Sequence, residues 1–374
     1  MTPQYFLPAV VLVLHLCSTV CNATPAQDTW TGVDRVVAIG DVHGDYEQFT
    51  AVLRSAGLID EGGNWTGGKS HLVQNGDALD RGPDSRKVID LLMKLEQQAA
   101  QAGGYVHALI GNHEAMSLYG DFRYVAPEDY ESFRTEDSQK LREAAFKAFT
   151  EETAKQSPGG NVEDVRRKWD VEHPLGYFER RALFAPEGMY GKWIRKHNTV
   201  IRIDDSVFVH AGVSPKYAGY SLKKINERVR EECGDLGKLQ GGIVTDQEGP
   251  LWYRGLATGE EDLLEGHLKK VLKNYGVVRM VVGHTFTDGA VTPRFSGRVL
   301  LIDIGLAKLY DNLGRMACLV IEKGKPYALH RGTRLELPKD STADMLRYLK
   351  EAAAIDPTPS SLSRRIAKLE SKTN

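Results

Sequence analysis

Asp41, His43, Asp77, Asn112, His210 and His284 are carboxylate, amide and imidazole donors that share one local design. Each closes a short apolar run, in the stretches Gly40-Asp41-Val42-His43-Gly44, Gly76-Asp77-Ala78-Leu79-Asp80-Arg81-Gly82, Gly111-Asn112-His113-Glu114, His210-Ala211-Gly212 and Gly283-His284-Thr285. Such donors, with no thiolate among them, suit Mn, Fe or Zn rather than a soft metal or a cluster. Six donors exceed what one tetrahedral ion takes, so two divalent ions sharing a carboxylate is the natural count. Two ions about 3.5–4 Å apart clamp an in-line displacement at phosphorus and make hydroxide available at neutral pH. Arg81 and Arg254 are the guanidiniums placed to grip phosphate oxygens bidentately, and Asn112 is placed to touch the substrate as well as a metal. His113 adjoins a donor and can protonate a leaving alkoxide, while Asp80 can fix its tautomer.

The elements that must position these groups follow from periodicity. Runs at 36–39, 71–74 and 105–110 predict three buried strands that deliver Asp41, Asp77 and Asn112. Helical spacing over 46–56, and again from Asp84 to Gly103-Gly104, separates them. Three strand–helix steps predict βαβ units and a largely parallel first half, with the donors at carboxyl ends of strands, where open α/β sheets place ligands. From 118 to 196 the chain is charged, aromatic-spotted and helical in pattern, an insertion or cap over the site with a solvated helical hairpin at 151–170. Strands resume at 200–203, 207–209, 277–282 and 299–302, and 317–321 with 327–330 predict a closing hairpin. Residues 336–374 read as a polar, peripheral tail with Pro357-Thr358-Pro359-Ser360-Ser361 as a linker.

In order and spacing these five motifs resemble the calcineurin-like metallophosphoesterases, within them the phosphoprotein phosphatase family, and there the bacterial-like branch of Shewanella-like protein phosphatases. Ala78-Leu79 and Val282 stand where the eukaryotic Ser/Thr phosphatases carry Tyr-Val and Arg, which points to that branch. The resemblance implies an α/β fold of two packed mixed β-sheets flanked by helices, over residues 30–335. It implies Asp41, His43 and Asp77 on a first metal, and Asp77, Asn112, His210 and His284 on a second, with Mn foremost and Fe or Zn as alternatives. His113 would be the general acid, Asp80 its orienting partner, and Arg81 and Arg254 the phosphate ligands. A metal-bridging hydroxide would attack a phosphomonoester on a phosphoprotein directly, with no phosphoenzyme. A dinucleoside polyphosphate hydrolase is the alternative, and a silent metal-binding scaffold a third. An insertion lidding a shallow cleft favours the phosphoprotein; a narrow cleft with a base-stacking aromatic favours the nucleotide. Outside the motifs, His71, His107 and His173 are expected to be ordinary histidines, and Arg123-Tyr124 either touches substrate or pairs on the surface; within them, Glu114 is expected to be a supporting hydrogen-bond partner.

With 48 basic and 50 acidic residues among 374, nothing points to nucleic acid or an anionic membrane as a bulk partner. The apolar stretch 6–16 followed by Cys21-Asn22-Ala23 has the pattern of a signal peptide cleaved after Ala23 and directs the chain to the secretory route. An uncleaved anchor is the other outcome. Cys233 and Cys318 remain in the mature chain, as one bridge or as two buried thiols. Asn64-Trp65-Thr66 is a glycosylation acceptor on that route. Expressed in a eukaryotic secretory host, the chain is expected to begin at Thr24 and to lose mass on treatment with an N-glycosidase. Terminal sequencing that finds Met1 in the membrane fraction selects the anchor instead.

Overall fold

The computed structural model describes residues 27–156, 162–339 and 341–373. The 1–23 segment, with its cleavage site, lies outside the described residues. Among those described, no helix is long and apolar enough to cross a membrane.

Twelve strands are described: β1 (Thr29–Trp30), β2 (Arg35–Ile39), β3 (His71–Gln74), β4 (Tyr105–Ala108), β5 (Val200–Ile203), β6 (Ser206–Val209), β7 (Arg279–Val282), β8 (Thr292–Arg294), β9 (Val299–Leu301), β10 (Ala317–Glu322), β11 (Lys325–His330) and β12 (Thr333–Leu335). They form two six-stranded mixed sheets, ordered β1-β5-β6-β7-β9-β8 and β12-β11-β10-β2-β3-β4. In the first, β6, β7 and β9 are parallel neighbours; in the second, β2, β3 and β4 are. The carboxyl ends of both parallel triplets open on one side of the molecule, and every expected donor follows one of these strands.

The sheets pack face to face because the period of a strand is two residues. Ile201, Ile203, Phe208, Val281 and Leu300 turn toward the core shared with Ala38 and Val73. The alternate residues Val200, Val207, Val209, Met280, Val282 and Leu301 join a second cluster on the outer face. There they meet the helical residues Ile225, Val229, Leu268, Val271 and Leu272. The first half carries α1 (Tyr46–Ser55), α2 (Ser85–Gln101) and α3 (Asn112–Tyr119). Asp45 starts α1 by accepting from the Gln48 amide at 3.0 Å, an N-cap that satisfies an otherwise orphaned donor; Phe49, Val52 and Leu53 form its buried stripe.

The stretch expected as an insertion holds α4 (Pro127–Glu131), α5 (Ser138–Gln156), α6 (Val162–Glu172), α7 (Tyr177–Phe184) and α8 (Met189–Ile194). It is more than a cap. Phe133, Phe184, Tyr190 and Ile194 are buried in the outer-face cluster, and Arg180 of α7 is completely buried. The helices α9 (Leu222–Gly234), α10 (Gly255–Thr258) and α11 (Glu261–Tyr275) follow.

The expectation of a peripheral tail is corrected. It folds into α12 (Thr342–Ala353) and α13 (Ser363–Thr373), and Tyr348, Leu349, Ala352 and Leu362 are fully buried in the inter-sheet core cluster. The polar average of this stretch conceals an apolar stripe at helical spacing. Asp356, between the two helices, is 2.8 Å from both His330 Nε2 and Arg331 Nε and so ties the tail to the end of β11. Cys233 and Cys318 are free and buried, one in each cluster, which selects the reading of two thiols over a bridge.

The Tyr348 hydroxyl is buried with no hydrogen-bond partner, a group that costs free energy in the folded state. Tyr348→Phe is therefore expected to leave the melting temperature unchanged or raised. Tyr348→Ala, which empties a ring-sized volume, should lower stability by about 3–5 kcal/mol. Chemical denaturation of the two variants separates a core position from a surface one.

Candidate metal centre

The loops after β2, β3, β4, β6 and β7 carry the donors, and their backbone is unusual. His43 (φ 47°), Asp77 (φ 55°), Asp80 (φ 66°), Arg81 (φ 65°) and His284 (φ 61°) all lie in the left-handed region, which non-glycine residues seldom occupy and which concentrates at functional sites. Gly76 makes the turn into Asp77 at φ 88°; a Cβ there would stand 2.6 Å from the His210 ring. Glu114 holds the turn together. One oxygen accepts from the Gly111 and Asp77 amides, each at 2.8 Å, and the other from the Ala78 amide at 2.9 Å. This bears out the supporting role expected of it. Burial, and then Asp77, pushes the Glu114 carboxyl up to about 7.

All the expected donors converge. Asp77 Oδ2 is 3.3 Å from His210 Nε2 and 3.8 Å from His113 Nε2. Asp41 Oδ2 is 3.8 Å from His43 Nε2, and Asp41 Oδ1 accepts from the His284 amide at 2.9 Å. Asn112 Oδ1 faces His210 Nε2 at 3.0 Å. Two backbone carbonyls set the imidazoles: His43 Nδ1 lies 3.1 Å from Leu79 O and His210 Nδ1 2.9 Å from Asn75 O. Each Nδ1–H donates there, so Nε2 is the nitrogen presented inward, the usual outer support of a ligating histidine.

This donor set fits divalent cations. His43, Asp77 and His113 form one close group of ligand atoms, and Asp77, His210 and His284 form another. His284 Nε2 is buried without a hydrogen-bond partner, an orphan in a space otherwise filled by polar groups. Burial, together with Asp303 and Asp77, drives the Asp41 carboxyl well above its ordinary range. Burial and the neighbouring His113 lower His43 to about 3, and burial and His210 lower His284 to about 2; both rings are neutral and have lone pairs to give. Burial opposes protonation of His210 as well, but Asp77 outweighs it and carries that ring to about 10.

His113 is close to the donors but is held by a carboxylate rather than by a backbone carbonyl. Its Nδ1 is 2.8 Å from Asp80 Oδ2, and against burial the charges of Asp77 and Asp80 raise it above the ordinary imidazole range. Asp80 does not cap the next helix. Its other oxygen accepts from Arg180 Nη2 at 2.9 Å, and the first amide of α2, that of Ser85, is met by Asp129 Oδ1 at 3.0 Å. Arg180 Nε also reaches Asp129 Oδ2 at 3.2 Å, and Phe122 and Phe184 each lie against its guanidinium at 4.6 Å. Arg180, supplied by the insertion, was invisible in sequence because no motif surrounds it.

Arg81 and Arg254 are both exposed beside the centre. Arg81 Nη1 donates to the Tyr310 hydroxyl and Nη2 lies 3.4 Å from His113 Nε2. Arg254 Nη1 donates to His284 O and to Thr285 Oγ1, the latter at 3.2 Å. Arg123 pairs with Asp121 on the surface, as expected, but Tyr124 does not belong with it. Its ring lies 5.2 Å from that of His113 and 5.4 Å from the Arg81 guanidinium, so of the two readings this residue takes the one beside the centre. Asp303, just past β9, is a buried carboxylate at the same centre, raised to about 6 chiefly by burial; its strand was legible but its role was not. His71 and His107 hydrogen-bond to one another at 3.0 Å, and His173 stacks on Trp169 at 3.8 Å; all three are apart from the centre.

Residues 34–288 match the family described as calcineurin-like phosphoesterase. Shewanella-like protein phosphatase 2 of Arabidopsis thaliana is 33% identical over 74% of this chain and 72% of that protein. An asymmetrical bis(5'-nucleosyl)-tetraphosphatase of Geobacillus thermodenitrificans is 27% identical over 71% of this chain and 84% of its own length. Among solved structures, the cold-active protein-tyrosine phosphatase of a psychrophilic Shewanella superposes with a TM-score of 0.64 at 29% identity, covering 83% of this chain and 82% of that one.

Replacing Arg180 by Met leaves the Asp80 and Asp129 carboxylates buried without their cation. Breaking such a cluster by removing one partner costs about 3–5 kcal/mol, and thermal unfolding should show a loss of that size. Arg180→Lys, which keeps the charge but not the fork, should lose less. Equal losses for the two would mean that packing against Phe122 and Phe184, rather than charge, keeps Arg180 in place.

Proposed function

We propose, from the premise that the chain belongs to the calcineurin-like phosphoesterase family, that it is a metal-dependent phosphatase of phosphoproteins, acting on phospho-Ser/Thr, phospho-Tyr or both. The observation that carries this reading is the buried His113–Asp80 pair, set against the converging donors and flanked by the two exposed guanidiniums of Arg81 and Arg254. The Arabidopsis relative and the Shewanella structure, both protein phosphatases by name, support a protein substrate. So do Tyr124 and Phe286, exposed aromatics beside the centre, a residue type enriched where proteins meet.

Asp41, His43 and Asp77 would hold one divalent ion, and Asp77, Asn112, His210 and His284 the other, with Mn the first choice and Fe or Zn next. Ions bound there would supply hydroxide at neutral pH and neutralise phosphoryl oxygens. Arg81 and Arg254 grip the remaining oxygens and orient the phosphorus. His113 delivers the proton from Nε2 to the departing oxygen, while Asp80 accepts from Nδ1 and keeps that tautomer in place. His113 is assigned to proton transfer rather than to metal because the Asp80 carboxylate stabilises its charged form and its Nε2 lies 3.4 Å from the exposed Arg81 guanidinium that would grip the phosphate. The signal pattern at 6–23 supports a location on the secretory route.

A dinucleoside polyphosphate hydrolase is the second reading, favoured by the Geobacillus relative. The chain from Thr24 onward, loaded with Mn²⁺, is expected to hydrolyse a phosphoserine or phosphotyrosine peptide faster than diadenosine tetraphosphate. The reverse order selects the second reading, and no turnover of any of them a metal-binding scaffold. His113→Asn should keep its metal in an atomic-absorption assay while the rate falls by at least about 10²-fold. Asp77→Asn should lose both metal and rate; an empty site in His113→Asn would undo the role given to His113.

A further inference from the structure

Next to His284, a cleft of about 480 Å³ is lined by the loop residues Thr285, Phe286 and Asp288 and by Arg364, Arg365 and Lys368 of α13. It is joined to the centre through both guanidiniums. Arg254 donates to Thr285 Oγ1, and Arg81 donates to Tyr310, whose ring stacks on Phe286 at 5.3 Å. Arg365 fastens α13 to the loop, donating to Thr287 O at 2.8 Å and to Thr292 Oγ1 at 2.9 Å. Arg364 and Lys368 are spaced four apart, so they share one helix face. Both are exposed, and neither has a carboxylate partner among the described residues. Arg294, also in the lining, is paired with Glu261 at 3.0 Å. Asp288 is the one carboxylate facing the cleft.

We propose that this cleft receives acidic residues of the protein substrate that lie close in sequence to the phosphorylated one. The inference rests on the phosphoprotein reading and adds a sequence preference to it. Its warrant is charge complementarity: two unpaired cations on a rigidly tethered helix, in a cleft that opens one residue past a metal donor. The loop from Thr285 to Asp288 is four residues long, so an extended substrate would meet the α13 cations about three to five positions from its phosphate. The Phe286 ring already packs on Tyr310 and carries the Arg315 guanidinium at 4.7 Å, which disfavours its use as a platform for a nucleotide base.

The test compares three phosphopeptides that differ in their flanks, with Asp, Ala or Lys at the third to fifth positions on either side. They are assayed with the full mature chain and with an Arg364→Glu/Lys368→Glu variant. The acid-flanked peptide is expected to show a KM about tenfold below that of the Ala peptide, as two partly exposed ion pairs allow. Added salt should erase the difference. The double variant should lose or invert the preference while still turning over p-nitrophenyl phosphate, which is too small to reach the cleft. Equal KM values for the three peptides with the native chain, or a preference that survives the double substitution, overturns the proposal. If p-nitrophenyl phosphate is hydrolysed but no peptide is, the phosphoprotein reading itself has failed. A loss of diadenosine tetraphosphate turnover confined to the double variant would assign the cleft to a nucleotide and overturn the proposal as well.

Discussion

Three carboxylates, Asp41, Asp77 and Asp303, are buried together, and the rest of the molecule is arranged around that placement. Asp41 is raised by both of the others, while Asp77 stays ionised because His210 and His113 outweigh its burial. Removing like charges from water is costly unless cations or hydrogen bonds compensate. Here the compensation comes from imidazoles, from the backbone amides of His113, His284 and Gly305 in three different loops, and from the divalent ions for which the donors are suited. Such a cluster forms only if those loops arrive at one point. Two parallel triplets of strands, one in each sheet, make them do so.

The same constraint accounts for the strained backbone. A donor that leaves a strand end in an ordinary extended or helical conformation would be directed along the sheet or into the following helix. The left-handed conformations of His43, Asp77 and His284 turn the side chains back toward the gap between the sheets. Glu114, accepting three backbone amides from the loops after β3 and β4, holds two of those turns against one another. Strain at single residues is therefore supported by a network rather than by local propensity.

The strand-end donors were legible in sequence because each stands in a short motif after an apolar run, and because types such as Asp, Asn and His have few uses there other than turns and ligands. The parallel first half was legible for the same reason: periodicity of two alternated with periodicity of 3.6. What escaped was information carried between distant segments. Arg180 lies one hundred residues beyond Asp80 in a helix with no motif, and only tertiary contact marks it. Tyr124 and Tyr310 reach the centre from loops whose composition resembles any surface. Asp303 follows a recognisable strand, but a lone aspartate at a strand end is usually a turn former. The tail was misjudged because four buried positions were averaged with many charged ones.

The contact of Arg180 with Asp80 and Asp129 makes the helical insertion part of the support of the centre itself. A segment that looks like an exchangeable cassette shares a dry, three-membered charge cluster with the loop after β3. Recombination that brought in a foreign insertion lacking that arginine would strand Asp80 in the interior, and an insertion carrying the arginine onto a loop without Asp80 would leave the cation short of a partner. The insertion and the β3 loop are thus bound to drift as one heritable block, and divergence in one is legible only alongside the other.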